Sequence, residues 1–211
     1  VVGPDDICNG GSEDFFKQKT YLTVSSQLHL EACCSGLGRC YSMNSSFRAE
    51  KSKTSRHLAS FGHVEFEFSF GALNELMDIS EEMVKFVITQ CLEKCPLEYA
   101  FLNGYYSKGV LEKLEKYATC VYPRISYDEA LDILEKAKSS KKFKVSNEDM
   151  PEWGDDLGSV CERYLAEDHY KSPLMIYNYP KDLKSFYMKA DLDNPEVVNC
   201  MDMIVPAIGE L

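Results

Sequence analysis

A chain of 211 residues with 45% hydrophobic and 12% aromatic content is long enough to bury a real core, as one large domain or two small ones. No run approaches the roughly 18 to 20 apolar residues of a bilayer span, and the opening VVGPDDICNGG has no basic segment leading into an apolar one, so nothing argues for a membrane or for export. A formal charge of −11 argues against broad, nonspecific nucleic-acid binding, because phosphate contacts need Lys and Arg. The nine cysteines are odd in number and lack framework spacing, which fits reduced thiols in a cytosol-like compartment. Cys91 and Cys95 fall four apart on an expected helix, but no matching Cys or His pair follows, so they read as packed side chains.

In chain order, SEDFFKQKTYLT (12–23) reads as a loop running into a short strand. Ser25 or Ser26 then caps a helix over QLHLEACC, with Gly36 and Gly38 ending it. Arg39 to Met43 and Ser46 to Glu50 read as two strand pieces, and KSKTSRHLAS as a polar loop. From Gly62 to Phe70 the sequence alternates, with Val64, Phe66, Phe68 and Phe70 on one face and His63, Glu65 and Glu67 on the other. Pairing this strand with Ser46 to Glu50 gives an apolar underside and a polar floor carrying Arg48, Glu50, Glu65 and Glu67.

A long amphipathic helix follows, with Leu73, Met77, Val84, Val87, Cys91 and others at spacings of three and four, up to Pro96. Ser126 with Glu129 forms a capping-box pattern opening SYDEALDILEKAK, and Ser159 with Glu162 does the same for SVCERYLAEDHY. The lysine cluster from Leu134 to Lys144 reads as a helix end and a solvated loop. Strands return in PLMIYNY, SFYMK and VNCMDMIV. Local strands with long helices between them predict an α+β fold, an antiparallel β-sheet flanked by helices, over a doubly wound parallel sheet.

An arginine among carboxylates can bind a phosphate oxygen while the acids hold Mg2+ or an ammonium group. On pattern alone, a solvated face with surface ion pairs is the stronger reading. The residues themselves add more: SFRAEKSKTSRHLASFGHVEFEFSF resembles motif 2 of the class II aminoacyl-tRNA synthetases, in the form seen in asparaginyl-tRNA synthetases. The resemblance extends through DFFKQKTYLTVSSQLHLEA upstream, and through ERYLAEDHYKSPLMIYNYPKDLKSFYMK and MDMIVPAIGEL downstream. It is weak from about Lys94 to Ser146.

The resemblance implies the catalytic-domain fold of that class and assigns roles by position. Arg48 would contact the α-phosphate of ATP, where charge builds as the amino-acid carboxylate attacks. Glu50 would lie beside the adenine amino group, and Phe61 would stack on the ring. Arg56 and His57 would reach the outer phosphates or the tRNA end. Asp202 and Glu210 would bind Mg2+, while Ser25 and Gln27 would line the amino-acid pocket.

Aspartate-activating relatives carry SPQLFK where this chain has SSQLHL, and their lysine pairs with the substrate carboxylate. Leu30 stands in its place, which suits a neutral amide, and Glu65 would accept a hydrogen bond from the amide nitrogen while repelling aspartate. The implied activity is asparagine-tRNA ligation, with ATP and Mg2+ as cofactors, asparagine and tRNA(Asn) as partners, a homodimer, and a cytoplasmic setting. An aspartate-activating relative and a catalytically incomplete synthetase-like binding or regulatory protein are the alternatives. Residues 1–211 would form part of a catalytic domain, since neither the family's third motif nor its anticodon-binding OB domain is recognisable in them. These 211 residues alone are therefore expected not to charge tRNA.

Overall fold

The structure, a computed structural model, describes residues 15–49, 57–146 and 149–211. The chain divides into two units, residues 1–71 and 72–211.

In the first unit, helix α1 (Gln27–Leu37) starts where the Ser25 hydroxyl accepts the Gln27 N–H at 3.0 Å. Ser26 takes the cap position without a side-chain bond, and only Gly38 ends the helix, at φ 78° with its N–H on the Cys34 carbonyl. Gly36 lies inside the helix rather than terminating it. Strand β1 (Arg39–Phe47) is continuous rather than two pieces, and pairs antiparallel with β2 (Ser60–Phe68) from Arg39↔Phe68 to Phe47↔Ser60. Phe70, at φ 65°, has left the strand and its apolar row. The strand expected before α1 is not formed among residues 15–23, although the Phe47 N–H reaches the Thr23 carbonyl at 2.9 Å.

The register puts Tyr41, Met43, Val64 and Phe66 on one face, and Cys40, Ser46, Phe61, His63, Glu65 and Glu67 on the other. Helix α1 packs on the second, polar face. The Cys40 thiol donates to the Leu30 carbonyl at 3.3 Å, Cys34 Sγ lies 3.2 Å from Ser69 Oγ, and both Leu30 and Cys34 are buried. Tyr41 and Met43, at 74% and 72% exposure, leave the apolar face open.

The second unit begins with three helices, α2 (Leu73–Lys94), α3 (Pro96–Tyr105) and α4 (Val110–Thr119). Then come β3 (Arg124–Ser126), α5 (Tyr127–Ser139) and α6 (Gly158–Arg163), the last running on as a π-helical turn, Tyr164–His169. Strands β4 (Leu174–Pro180), β5 (Val197–Val205) and β6 (Gly209–Glu210) complete a sheet ordered β3-β4-β5-β6. Only β3 and β4 are parallel, joined by the helical crossover such a pair requires. The α+β class expected from the sequence is the one observed.

The sheet is covered on both faces. Ala130, Leu134 and Leu165 pack with Leu174, Ile176 and Ile204 on one side, and Met77 of α2 packs with Tyr122, Met175, Met203 and Val205 on the other. This explains why β4 reads as a nearly continuous apolar run. Glu81 of α2 binds Lys85 Nζ at 2.6 Å, the Tyr122 N–H at 3.2 Å and Arg124 at 3.3 Å, tying α2 to the start of β3.

The capping box at α5 forms in full: Ser126 Oγ accepts the Glu129 N–H at 3.1 Å, and Glu129 Oε2 accepts the Ser126 N–H at 2.8 Å. Ser126→Ala is expected to cost about 1 kcal/mol, read as a lower urea midpoint with an unchanged slope. An unaltered midpoint would contradict the assignment. The second box does not form, because α6 begins at Gly158 and Ser159 already lies inside the helix. SFYMK is likewise no strand, since that segment joins the sheet only through an Ala190↔Val198 bridge. The lysine-rich run does end α5 in a loop, with Phe143 tucked into the core.

Candidate active site

The polar face of the β1–β2 hairpin gathers several of the expected site residues. Arg48 continues the ladder past β1, its N–H on the Ala59 carbonyl at 3.1 Å. Its side chain is exposed, with Nε 3.4 Å from the Val24 carbonyl and the guanidinium 5.3 Å from the centre of the Phe61 ring. An arginine stacked on an aromatic ring in this way presents its remaining donors as a planar fork, suited to a phosphate.

Glu65 lies further along the same face. Its Oε1 accepts from the Ser25 hydroxyl, and the Ser26 N–H lies 2.8 Å from Oε2 and 3.1 Å from Oε1. His63 Nδ1 stands 3.5 Å from Oε2. Burial pushes the Glu65 carboxyl up, but the Ser25 hydroxyl, the Ser26 N–H and His63 together outweigh it and hold it below the ordinary carboxylate value. The group is therefore an ionised acceptor at neutral pH. Ser25 serves both Glu65 and the helix start, and Gln27 Nε2 turns to Glu31 at 3.1 Å. Leu30 is 6% exposed in the packed side of α1, so its position carries no cation and its side chain is part of the helix's seat.

Asp202 and Glu210 lie in the second unit. Glu210 of β6 pairs with Ile204, two residues from Asp202 on β5, so both carboxylates sit on one face of the sheet. Two carboxylates suit a hard cation shared with phosphate oxygens in donor type. No group of three or more metal-ligating side chains occurs among the described residues. Lys184 Nζ already contacts Asp202 Oδ2 at 2.6 Å and lies 4.1 Å from the centre of the Tyr179 ring. Burial alone would lower the Lys184 pKa, but Asp202 outweighs it and keeps the ammonium charged. Burial first, and then Asp202, also keep Tyr179 protonated.

Of the expected residues, Arg48, Phe61, Glu65, Ser25 and Gln27 fall in the first unit, with Asp202 and Glu210 in the second. His57 is exposed just before β2. Glu50 and Arg56 lie outside the described residues. Sequence reasoning missed His63, whose Nδ1 is 3.0 Å from the buried Ser46 hydroxyl, and Lys184 on Asp202. The alternation sets His63 on one face with Glu65 and Glu67, which is the available signal.

A family model for class II tRNA synthetases (D, K and N) matches residues 6–211. The chain belongs to this family. Within it, the chain is 43% identical over 200 residues to the asparagine-tRNA ligase of Colwellia psychrerythraea, a match covering 95% of this chain and 41% of that protein. The crystal structure of asparaginyl-tRNA synthetase from Pyrococcus horikoshii complexed with asparaginyl-adenylate superposes with a TM-score of 0.79 at 39% identity, over 100% of this chain and 45% of that one. Aspartyl tRNA synthetase from Entamoeba histolytica shares the fold, with a TM-score of 0.70 at 21% identity, over 90% of this chain and 37% of that one. The chain thus spans less than half the length of the relatives it matches.

Among the described residues no helix is long and apolar enough to cross a membrane.

Proposed function

We propose that residues 1–211 form part of the catalytic domain of an asparagine-tRNA ligase, with the polar face of the β1–β2 hairpin as its activation site. The observation that carries the reading is the shared face: an arginine stacked on Phe61 and an ionised Glu65 anchored at the start of α1.

In the first step an asparagine carboxylate oxygen attacks the α-phosphorus of ATP, forming asparaginyl-adenylate and expelling pyrophosphate. Arg48 binds the α-phosphate oxygens as their charge grows, Phe61 supports the adenine, and Glu50 accepts from its amino group. Arg56 and His57 hold the outer phosphates or the acceptor end. Ser25, Gln27 and Glu65 receive the amino acid. Glu65 accepts from the side-chain amide N–H, a donor that aspartate lacks, and repels a second carboxylate.

Asp202 and Glu210 would hold Mg2+, which when bound neutralises phosphate oxygens. Lys184 supplies a further cation against Asp202. In the second step the terminal ribose 3'-hydroxyl of tRNA(Asn) attacks the acyl carbon and AMP leaves. A homodimer acting in the cytoplasm completes the reading, with much of the tRNA grip on parts outside these residues.

Amino-acid-dependent pyrophosphate exchange by the full-length gene product tests this. Exchange driven by asparagine and not by aspartate is expected. Exchange with aspartate alone would overturn the specificity, and exchange with neither would favour a binding or regulatory role.

A further inference from the structure

We infer that His63 is a positioning residue for asparagine selection: pinned by Ser46, its ring holds the Glu65 carboxylate in the orientation that receives the side-chain amide. This rests on the asparagine reading above and deepens it.

His63 Nδ1 lies 3.0 Å from Ser46 Oγ and 3.5 Å from Glu65 Oε2. An ionised carboxylate can only accept, so any hydrogen bond between the two is donated from Nδ1, whose proton then lies between Ser46 Oγ, which accepts at the shorter distance, and Glu65 Oε2. Ser46 lies opposite Phe61 in the ladder, one cross-strand step from His63, and at 1% exposure its hydroxyl has no bulk water to turn to. The Phe61 ring, 5.4 Å away, bounds the imidazole along the strand. The ring therefore has a fixed neighbour on the sheet and a fixed one beside it.

Glu65 is thereby oriented from two elements. The start of α1 supplies the Ser25 hydroxyl to Oε1 and the Ser26 N–H mainly to Oε2, while the sheet supplies His63 to Oε2. Without the imidazole, its donors among the described residues all come from the two serines before α1, and the carboxylate is free to turn toward the helix. Arg48 and Phe61, assigned to ATP, have no hydrogen bond to this pair. The effect should thus fall on the amino acid rather than on the nucleotide.

The test uses pyrophosphate exchange by the full-length gene product. For H63L, the asparagine KM is expected to rise about tenfold, with the ATP KM changing by less than about twofold and the preference over aspartate reduced. H63N, which keeps a donor near the Nδ1 position, should recover most of the loss. In an E65Q background H63L should add almost nothing, because the two residues act as one unit.

An unchanged asparagine KM in H63L, a parallel rise in both KM values, or full additivity with E65Q would overturn the proposal while leaving the asparagine activity standing. Absence of asparagine-dependent exchange in the unaltered protein would instead remove the parent reading, and this proposal with it. Should H63L not fold, 15N NMR of the unaltered protein decides. A dominant Nδ1–H tautomer of His63 that is lost in E65Q supports the assignment, and a tautomer indifferent to E65Q refutes it.

Discussion

Arg48→Ala should lower kcat/KM for asparagine-dependent pyrophosphate exchange by about 10³-fold. The side chain sits at the end of the polar face, stacked against Phe61 and tied only loosely to the Val24 carbonyl at 3.4 Å. Among the described residues little of its donor capacity is committed to the fold. The loss should therefore appear in the reaction and leave thermal stability nearly unchanged. Arg48→Lys should recover only part of the rate, because an ammonium is a point charge that cannot grip two phosphate oxygens as a planar fork does. Normal exchange in R48A would remove this face from the chemistry altogether.

The second large effect is expected at Glu65. Glu65→Gln should lower asparagine kcat/KM by about a hundredfold and shrink the preference for asparagine over aspartate. The carboxylate accepts from Ser25 and Ser26 and faces His63, so every neighbour is matched to an acceptor. A glutamine must present an NH2 to one of these donors, and it no longer repels an anionic substrate. The same donors hold the carboxyl below its ordinary value against the upward push of burial. Its charge therefore persists as pH falls toward that value. The asparagine KM of the unaltered protein should be flat from pH 8 to about pH 5 as far as Glu65 is concerned. An asparagine KM rising through pH 6 to 7 in step with Glu65 protonation would contradict the assignment.

Much of this site was legible in the sequence because a strand has a period of two. Val64 and Phe66 had to share one face, and His63, Glu65 and Glu67 the other, whatever their neighbours. The pattern could not say which element would meet each face. Helix α1 lies on the polar side, through Cys40 with Leu30 and Cys34 with Ser69, while Tyr41 and Met43 of the apolar side stay exposed. The acceptor oxygens of Glu65 meet the Ser25 hydroxyl and the Ser26 N–H at the start of that helix.

The misplaced elements have local causes. Ser126 caps α5 because its backbone is extended, at φ −70° and ψ 162°, just before the helix. Ser159 has the same spacing to a glutamate, but Gly158 has already opened α6, so its hydroxyl has no cap to make. The short alternation in SFYMK lacked the length to make it a strand against one isolated bridge. The pairing of Lys184 with Asp202 depends on the turn after β4, the 3-10 helix Lys181–Leu183, which no periodicity announces. The roles of Arg48, Phe61 and Asp202 came from family resemblance, since composition and spacing alone allowed a solvated surface.

The most direct test of the central claim, that the polar face of β1–β2 is an asparaginyl-adenylate site, is a crystal structure of the full-length gene product with a non-hydrolysable asparaginyl-adenylate analogue. The adenine is expected on Phe61, the Arg48 guanidinium on the group replacing the α-phosphate, and the side-chain amide nitrogen within hydrogen-bond distance of Glu65. An analogue bound away from this face, or seated on it with the amide turned from Glu65, would contradict the account.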